Sequence, residues 1–524
     1  MTYDDFPQLI AMAERGDAPA LSFYAGRTHA RTLSYRQLFE AVERVAGVLA
    51  ARGVARGQRV GVLAANRIEV PVLMLALMRL GAAAVPLNPT SPADDWTYIL
   101  EHSRSVGCFA TADLAGKLAA GRWWVQPVDG ALELPAAAAL PAAAALADEL
   151  AVVLYTSGTT GRPKGVGLPQ RALLANAASM ATNFGLAGTT QFAVLPLYHA
   201  HAFGFGLMSA LSTRGHLVFV DKFDPFSWAE VIRTSQATVT SVVPTLLPAL
   251  LKVKLTADQV PLLRCIMVSS APLSTDLARE FETTTRIPLV QGWGLSEYTN
   301  FACCMPPPAS LDAALRDELM LGREAPSVGA PLVGTEVRAV DLATGAEVGP
   351  EVRGELCIRG HSTMLGYLED ADATARAIDP ERWLHSGDEG YFIERAGKRW
   401  FFISGRIKEI IIRGGDKHSP IALERALLAS VPELAGHLCV LGFRHDMHGE
   451  EIGAYVERAA ATADVRARLA AAIQAMVAEQ RPKIVLFGDD PIPRTHTGKV
   501  QRRKLQHLYE AHAGCRGAVK LLDV

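Results

Sequence analysis

The alternation of helix-like and strand-like segments between residues 33 and 88 limits the folds open to this chain more than any other feature of its sequence. Apolar residues recur with helical spacing over residues 35–53 and 69–81, and short β-branched or apolar runs occupy residues 59–64 and 84–87. Similar runs predict strands at 151–155, 218–220, 238–243, 265–269 and 288–291, and helical spacing predicts a helix at 171–184. Such alternation predicts an α/β fold, in which helices cover a parallel sheet.

The pattern changes in the last third of the chain. Between residues 337 and 391, short strand-like runs separated by turn signals predict a β-rich subdomain. Beyond residues 405–408 the alternation resumes, at 421–429, 439–443, 454–457 and 464–480. We therefore expect a boundary near 405–408 and a separate, smaller unit after it. Residues 131–150 are rich in alanine and are interpreted as a surface connector.

Composition and charge exclude several classes of protein. The 52 Lys and Arg residues nearly balance the 54 Asp and Glu residues, so the chain lacks the basic excess of a dedicated nucleic-acid binder. The apolar stretches 70–78 and 80–87 are separated by Arg79, and each is shorter than the roughly 20 residues of a membrane span. No secretory signal is visible, and the seven cysteines show no Cys-x-x-Cys spacing. We therefore predict a cytoplasmic protein with reduced thiols, no membrane span and no nucleic-acid partner.

A glycine-rich loop at residues 155–165, with the sequence YTSGTTGRPKG, is the most informative stretch for function. It is predicted to join a strand to a helix, and its glycines let the backbone approach a ligand closely. It differs from the Walker A pattern because Pro163 precedes Lys164 and Gly165 follows it. A flexible surface turn would explain the glycines but not the four Ser and Thr hydroxyl groups and the lysine, which can donate hydrogen bonds to phosphate oxygens. We therefore interpret the segment as a phosphate-binding loop. Its candidate ligand-binding residues are Thr156, Ser157, Gly158, Thr159, Thr160, Gly161 and Lys164.

This loop resembles the signature of the adenylate-forming superfamily, which includes acyl-CoA synthetases, adenylation domains and firefly luciferase. Four more segments resemble motifs of that family in the same order, at residues 291–297 (QGWGLSE), 383–390 (WLHSGDEG), 405–415 (GRIKEIIIRGG) and 493–504 (PRTHTGKVQRRK). The resemblance implies the family's α/β fold. A large N-terminal domain of parallel-rich sheets with helices and a β-rich subdomain would span 1–404. A hinge at 405–408 and a small mobile C-terminal α+β domain over 409–524 would follow.

The resemblance also implies an acid–thiol ligase that uses ATP and Mg²⁺ to convert a carboxylate into an acyl-adenylate. Lys499 would bridge the carboxylate and the α-phosphate, because cations must offset the repulsion between two anions in the transition state. The alternative is that Lys499 is one solvated cation in a basic surface patch at 494–504. Gly498 before the lysine permits close approach to a ligand and favours the catalytic role.

Several residues are implied to bind the nucleotide. Glu297 would hold Mg²⁺, since a carboxylate is a hard ligand for a hard cation. Trp293 would stack on adenine, with a plain core tryptophan as the alternative. Asp388 would accept hydrogen bonds from both ribose hydroxyls, and Arg406 would reinforce them. The other nucleotide-binding residues are Ala271, Pro272, Gly292, Gly294 and Ser296.

The acyl pocket implied by the resemblance has neutral side chains, which favours a carboxylic acid with a neutral acyl group over a dicarboxylate or an amino acid. His199 would lie at its mouth as a catalytic residue. A metal site at His199 and His201 is disfavoured, because the pair would lie on alternating faces of a strand with no acidic or cysteine partner nearby; His201 has no assigned role. The other pocket residues are Phe203, Gly294, Thr299 and Asn300.

A phosphopantetheine thiol would take up the acyl group after a domain rotation. Lys408 occupies the family's hinge position, and Gly414 and Gly415 would form part of the thiol channel. The chain departs from the family just afterwards, since residues 416–420 lack the usual asparagine and Ala422 replaces a frequent glutamate. The acceptor is coenzyme A on the generic resemblance, or the prosthetic arm of an acyl carrier protein in trans. The remaining alternatives are luciferase-like oxidation and a catalytically silent nucleotide-binding or RNA-binding protein.

Overall fold

A computed structural model of the chain describes Leu9, Leu140 and residues 16–133, 146–156, 162–495 and 498–524. By its internal contacts the chain divides into two compact units, and each is described by itself. The first unit comprises Met1–Val337, Cys357–His385 and Arg395–Trp400. The second comprises Arg338–Leu356, Ser386–Glu394 and Phe401–Val524. The connector predicted at 131–150 lies largely outside the described residues, and the boundary at 405–408 stays a prediction.

A nine-stranded sheet in the first unit is parallel in its centre and antiparallel at both edges. In spatial order its strands are Ala330–Pro331, Phe301–Cys304, Leu289–Gly294, Cys265–Val268, Val239–Val242, Thr190–Ala193, His216–Val220, Pro19–Ala25 and Thr28–Ser34. The strands predicted at 218–220, 238–243, 265–269 and 288–291 are all present. Every residue of Val239–Val242 and Cys265–Val268 is buried, which is typical of parallel strands covered on both faces.

A seven-stranded sheet in the same unit carries the glycine-rich loop. Its strands, in order, are Gly366–Tyr367, Lys164–Pro169, Leu150–Thr156, Ala83–Leu87, Arg59–Leu63, Gly107–Ala110 and Trp124–Pro127. One expectation is wrong here. The loop does not lead from a strand into a helix, because Lys164–Pro169 runs back antiparallel to Leu150–Thr156 and the helix Gln170–Phe184 begins only afterwards. Residues 156 and 164, on either side of the loop, therefore belong to two antiparallel strands and not to a strand and a helix.

Helices of the first unit form where local signals and burial agree. Tyr35–Ala51 begins at Ser34, whose hydroxyl accepts from the backbone N–H of Gln37 in a reciprocal capping box. Glu69–Arg79 is apolar on all sides and buried, which confirms a core helix at this position. No helix within the described residues is both long enough and apolar enough to cross a membrane. The other helices are Ala93–His102, Ala112–Ala115, Gln170–Phe184, Ser209–Ser212, Pro225–Ser235, Leu247–Lys252, Thr275–Thr285, Ala313–Leu321 and Ala371–Ala377, with a π-helix at Ala202–Met208.

The second unit contains a six-stranded mixed sheet with helices packed against it. Its strands are Asp416–His418, Ile411–Arg413, Leu438–His445, Gly449–Glu457, Ile484–Gly488 and Lys520–Asp523. Its helices are Pro420–Leu428 and Ala463–Ala475, followed by a 3₁₀ helix at Arg502–His512. Four strands belong to a further sheet, as the β-rich pattern predicted: Thr335–Val340, Gly354–Gly360, Leu384–Arg395 and Lys398–Arg406. The α/β fold class is confirmed.

Gly329 provides a test of how tightly the edge of the nine-stranded sheet is packed. Its φ is +92°, and an added Cβ would lie 1.9 Å from the carbonyl carbon of Cys304. We expect Gly329→Ala to destabilise the protein by at least about 2 kcal/mol, because backbone cannot move aside as a side chain can. The measurement is the thermal denaturation midpoint. Gly349→Ala, where a Cβ would meet nothing within 4 Å, is the matched control; equal midpoints for the two variants would contradict the prediction.

Candidate functional site

The strand Leu289–Gly294 and its return strand hold the central motif of the first unit. Gly292 pairs with Cys304 and Gly294 with Phe301, so the chain turns back within a few residues. At Gly294 an added Cβ would lie 1.7 Å from the carbonyl oxygen of Asn300, and only glycine fits this crossing. The predicted residues of this segment are therefore brought together in one tight hairpin.

The tip of that hairpin is backbone-strained and well anchored. Thr299 has a φ of +66°, unusual for a β-branched residue, and its hydroxyl donates to the carbonyl oxygen of Ser362 at 2.8 Å. Ser296 and Glu297 lie in the 3₁₀ turn Ser296–Tyr298. The fixed turn gives the Glu297 carboxylate a defined place at the end of the strand.

Glu297 is connected to Lys164 through a tyrosine that the sequence did not reveal. The Tyr367 hydroxyl donates to Glu297 Oε1 at 2.9 Å. Lys164 Nζ lies 4.9 Å from the centre of the Tyr367 ring and 3.2 Å from Asp370 Oδ2. These four side chains form a connected row within the first unit, in which neutral Tyr367 joins Glu297 to the Lys164–Asp370 ion pair.

Strand pairing explains why the row forms. Tyr367 is opposite Val166 on the edge of the strand Lys164–Pro169, so the tyrosine and the lysine share one ladder. Asp370 caps the following helix by accepting from the backbone N–H of Ala373 at 2.9 Å. That bond and Lys164 lower the pKa of Asp370, so the carboxylate stays charged at neutral pH. A capping aspartate was the one signal in the sequence that could have drawn attention to this segment.

The base of the glycine-rich loop is held by aromatic side chains. The hydroxyl of Tyr155 is 2.8 Å from His102 Nδ1, and burial raises the pKa of Tyr155, which stays protonated. Thr156 is opposite Lys164 in the hairpin ladder. The predicted ligands Ser157, Gly158, Thr159, Thr160 and Gly161 lie outside the described residues.

The predicted adenine-binding residues are on two neighbouring strand ends. Trp293 is largely buried, Ala271 is half-buried and Pro272 is exposed. Ser270, just before Ala271, has a φ of +71°, which marks a sharp turn after the strand Cys265–Val268. Burial is compatible both with stacking on adenine and with a plain core position for Trp293, so the stacking role stays a prediction.

His199 and His201 do not lie on a strand, contrary to expectation. They occupy a turn that leads into the π-helix Ala202–Met208, where the backbone N–H of Phe203 donates to the His199 carbonyl oxygen at 3.0 Å. The start of a helix therefore positions both side chains, and they do not lie on the alternating faces of a strand. Phe203 is buried in the same helix.

His201 is a buried, neutral histidine beside the predicted acyl pocket. Its Nδ1 lies 2.9 Å from the hydroxyl of Ser269, and its ring meets Phe301 edge-on at 5.1 Å. Its Nε2 has no hydrogen-bond partner among the described residues. Burial, reinforced by His199, lowers the pKa of His201 to about 3.

Asn300 also belongs to this neighbourhood. It is buried, and Gly204 lies so close that a Cβ there would be 3.2 Å from the Asn300 side chain. Its amide nitrogen has no hydrogen-bond partner in the described part of the chain. The pocket residues Gly294, Thr299 and Asn300 are thus gathered in one hairpin, and their side chains are neutral as expected.

In the second unit, Asp388 and Arg406 form an ion pair, which the sequence did not predict, and their ribose-binding role stays a prediction. Arg406 Nε lies 2.7 Å from Asp388 Oδ1, and the Asp388 side chain is 8% exposed. The backbone N–H of Asp388 donates to the Ser386 hydroxyl at 3.0 Å. A buried carboxylate fixed in this way is suited to accept hydrogen bonds from the hydroxyl groups of a ligand.

Lys499 lies on a short hairpin of the second unit, residues 493–501, which we call the lysine arm. Thr495 N–H donates to the Lys499 carbonyl oxygen at 2.8 Å, and Gln501 N–H donates to that of Pro493 at 2.7 Å. Gly498 has a φ of +82°, which permits the turn. Residues 496 and 497 lie outside the described residues.

The other predicted residues of the second unit lie in turns. Lys408 is in the 3₁₀ turn Ile407–Glu409, and Gly414 and Gly415, both with positive φ, link two short antiparallel strands. The alternative of an exposed basic patch at 494–504 is wrong for one member, because Arg502 is buried.

Comparisons with known proteins identify the family of this chain. The family model of AMP-binding enzymes matches residues 10–368. A probable CoA ligase from Humulus lupulus is 32% identical over 517 residues, covering 94% of each chain. The 4-coumarate–CoA ligase 3 of Oryza sativa subsp. japonica is 30% identical over 94% of this chain and 90% of its own. The solved structure of ATP-bound MatB from Rhodopseudomonas palustris is similar with a TM-score of 0.86 and 27% identity, over 98% of this chain and 100% of its own.

His201 gives the site a measurable acid sensitivity. Its folded-state pKa, about 3, lies below the ordinary value of 6.5, so the unfolded chain binds the proton first and stability falls as pH drops below about 6.5. Between pH 7 and pH 5 this histidine should cost about 2 kcal/mol of stability. We expect His201→Asn to lose less stability than the wild type over that interval in denaturation experiments. The exposed His361→Asn variant should retain the wild-type loss, and an unchanged loss in His201→Asn would contradict the assignment.

Proposed function

Because the chain belongs to the AMP-binding enzyme family, we propose that it is an AMP-forming acid–thiol ligase that converts a carboxylic acid into its coenzyme A thioester. Membership confirms the resemblance to the adenylate-forming superfamily. The observation that carries the proposal is the row from Glu297 through Tyr367 to Lys164. It holds a carboxylate and an ammonium group in fixed positions beside the glycine-rich loop.

In the first half-reaction a carboxylate oxygen attacks the α-phosphorus of ATP, and pyrophosphate leaves with the electron pair of the broken bond. Lys499 would bridge the two anions and offset their repulsion. Lys164 and the loop hydroxyls would bind the phosphates, and Asp388 with Arg406 would hold the ribose. The products are acyl-AMP and pyrophosphate.

The residues present fit a magnesium ion. Glu297 is a half-buried carboxylate whose Oε1 is oriented by the Tyr367 hydroxyl, and oriented carboxylates are what Mg²⁺ prefers. When bound, the ion would neutralise charge on the triphosphate. Tyr367 would keep the Glu297 oxygens aimed at it.

In the second half-reaction the thiol sulfur attacks the acyl carbonyl carbon, and the thiol proton is released. The bond between the acyl carbon and the phosphate oxygen breaks, and AMP leaves with its electron pair. Names of relatives support coenzyme A as acceptor, since both curated relatives described above are CoA ligases. Gly414 and Gly415 would line the thiol path, and residues 405–408 would act as a hinge. A carrier-protein thiol is the competing acceptor.

The acid is proposed to be a small carboxylic acid with a neutral acyl group. The neutral pocket residues Phe203, Gly294, Thr299 and Asn300 support this, as does neutral His201 beside them. We place the reaction in the cytoplasm, and the seven free cysteines support a reducing compartment.

Acid-dependent exchange of pyrophosphate into ATP tests the first half-reaction. Across short-chain, medium-chain and aromatic acids, we expect at least one acid to support exchange. Lys499→Ala should lower its rate about 100-fold or more, because a preorganised cation is lost. Lys504→Gln, an exposed neighbour, is the control. Binding of ATP without exchange for any acid would instead favour a silent nucleotide-binding protein.

The Tyr367 hydroxyl should lower the Mg²⁺ concentration that the exchange reaction needs. Tyr367→Phe keeps the ring near Lys164 but removes the hydroxyl from Glu297, so we expect the Mg²⁺ concentration for half-maximal exchange to rise about tenfold. Titration of exchange against Mg²⁺ at saturating ATP measures this. Tyr24→Phe serves as control, and identical titrations for Tyr367→Phe and wild type would refute the role.

A further inference from the structure

Arg502 is a buried cation of the second unit that contacts three separate segments. Its Nε donates to the Val440 carbonyl oxygen at 2.9 Å, and its Nη1 to Glu409 Oε2 at 2.7 Å. Its Nη2 contacts both carboxylate oxygens of Glu424, at 2.8 and 2.9 Å. The planar guanidinium thus fixes the relative orientation of all three partners, as a single-point lysine could not.

The three partners of Arg502 differ in their other contacts with the second unit. Val440 is on the strand Leu438–His445 and Glu424 on the helix Pro420–Leu428, and these two elements are also joined by the Val440 N–H, which donates to Glu424 Oε1 at 2.8 Å. Both elements contribute to one hydrophobic core. Glu409 ends the turn Ile407–Glu409, whose side chains are not part of that core. Arg502 is therefore a link between the turn and the body of the unit.

Stability alone is a poor explanation for this cluster. Burial by itself would lower the pKa of Arg502, and the carboxylates of Glu424 and Glu409 overcome that effect and raise it. Buried ion pairs of this kind contribute little net stability relative to apolar packing. What they do supply is a fixed geometry.

The same residue terminates the lysine arm. Gln501, whose N–H closes the arm on Pro493, directly precedes Arg502, and Lys499 is three residues earlier. The guanidinium therefore fixes the base of the arm and the turn that contains Lys408 with one side chain.

We infer that Arg502 is a positioning residue: through Glu409 it fixes the turn Ile407–Glu409 to the base of the lysine arm, so that Lys499 is presented in one orientation during adenylation. The inference rests on the proposed function of Lys499. It assigns no contact between Arg502 and a substrate.

A matched pair of variants tests it. Glu409→Ala and Glu424→Ala each remove one carboxylate from Arg502, but only the first releases the turn. Glu409 lines a cavity of about 300 Å³, so its truncation enlarges a space that is already present. We expect Glu409→Ala to lower the kcat of acid-dependent pyrophosphate exchange about tenfold with the KM for ATP unchanged. Thioester formation from preformed acyl-AMP does not use Lys499, so Glu409→Ala should slow it clearly less than it slows exchange.

Glu424→Ala should lower the thermal midpoint at least as much as Glu409→Ala and yet leave exchange within about threefold of wild type. Glu409→Gln, which retains a hydrogen-bond acceptor, should restore part of the lost rate. Equal loss of exchange in both alanine variants, or equal loss of both half-reactions in Glu409→Ala, would overturn the inference and leave the proposed function intact. Absence of exchange in the wild type would instead remove the proposed function.

Discussion

The antiparallel ladder between Leu150–Thr156 and Lys164–Pro169 is the interaction on which the proposed site depends. It extends from Leu150 opposite Pro169 to Thr156 opposite Lys164, so paired backbone holds both ends of the glycine-rich loop. The first strand joins the parallel sheet, and the second presents its outer edge to Gly366–Tyr367. One ladder therefore fixes the two strands on either side of the loop and, through Tyr367, orients Glu297.

The fold was predictable where its signals are local. The helices predicted at 35–53 and 69–81 appear as Tyr35–Ala51 and Glu69–Arg79, because periodicity and end signals lie within the segments themselves. The strand Lys164–Pro169 escaped prediction. Its sequence KGVGLP contains two glycines and a proline, which weaken strand propensity. Its conformation is stabilised by partners on both sides, and a local pattern does not report them.

The site was predictable only in part, for the same reason. Motif residues such as Lys164 and Glu297 stand out by their surroundings in the sequence, but Tyr367 is 70 residues from Glu297 and has no motif of its own. The pairing of Lys164 with Asp370 likewise joins distant segments. The prediction of a strand at His199 and His201 was wrong because the two histidines precede the π-helix Ala202–Met208, and their spacing alone does not distinguish these structures.

Burial also separates two kinds of cation that look alike in the sequence. Lys164 and Asp370 form an ion pair with both side chains more than one-third exposed, and such pairs contribute at most about 1 kcal/mol. Release of Asp370 would therefore cost Lys164 little free energy, as its proposed role in binding phosphate requires. Arg502 is 9% exposed and bound to two carboxylates and a carbonyl oxygen, so giving up its partners would leave charges buried and unpaired. Arg502 is thus committed to the framework, whereas Lys499, three residues away, is exposed, as its proposed role at a ligand requires.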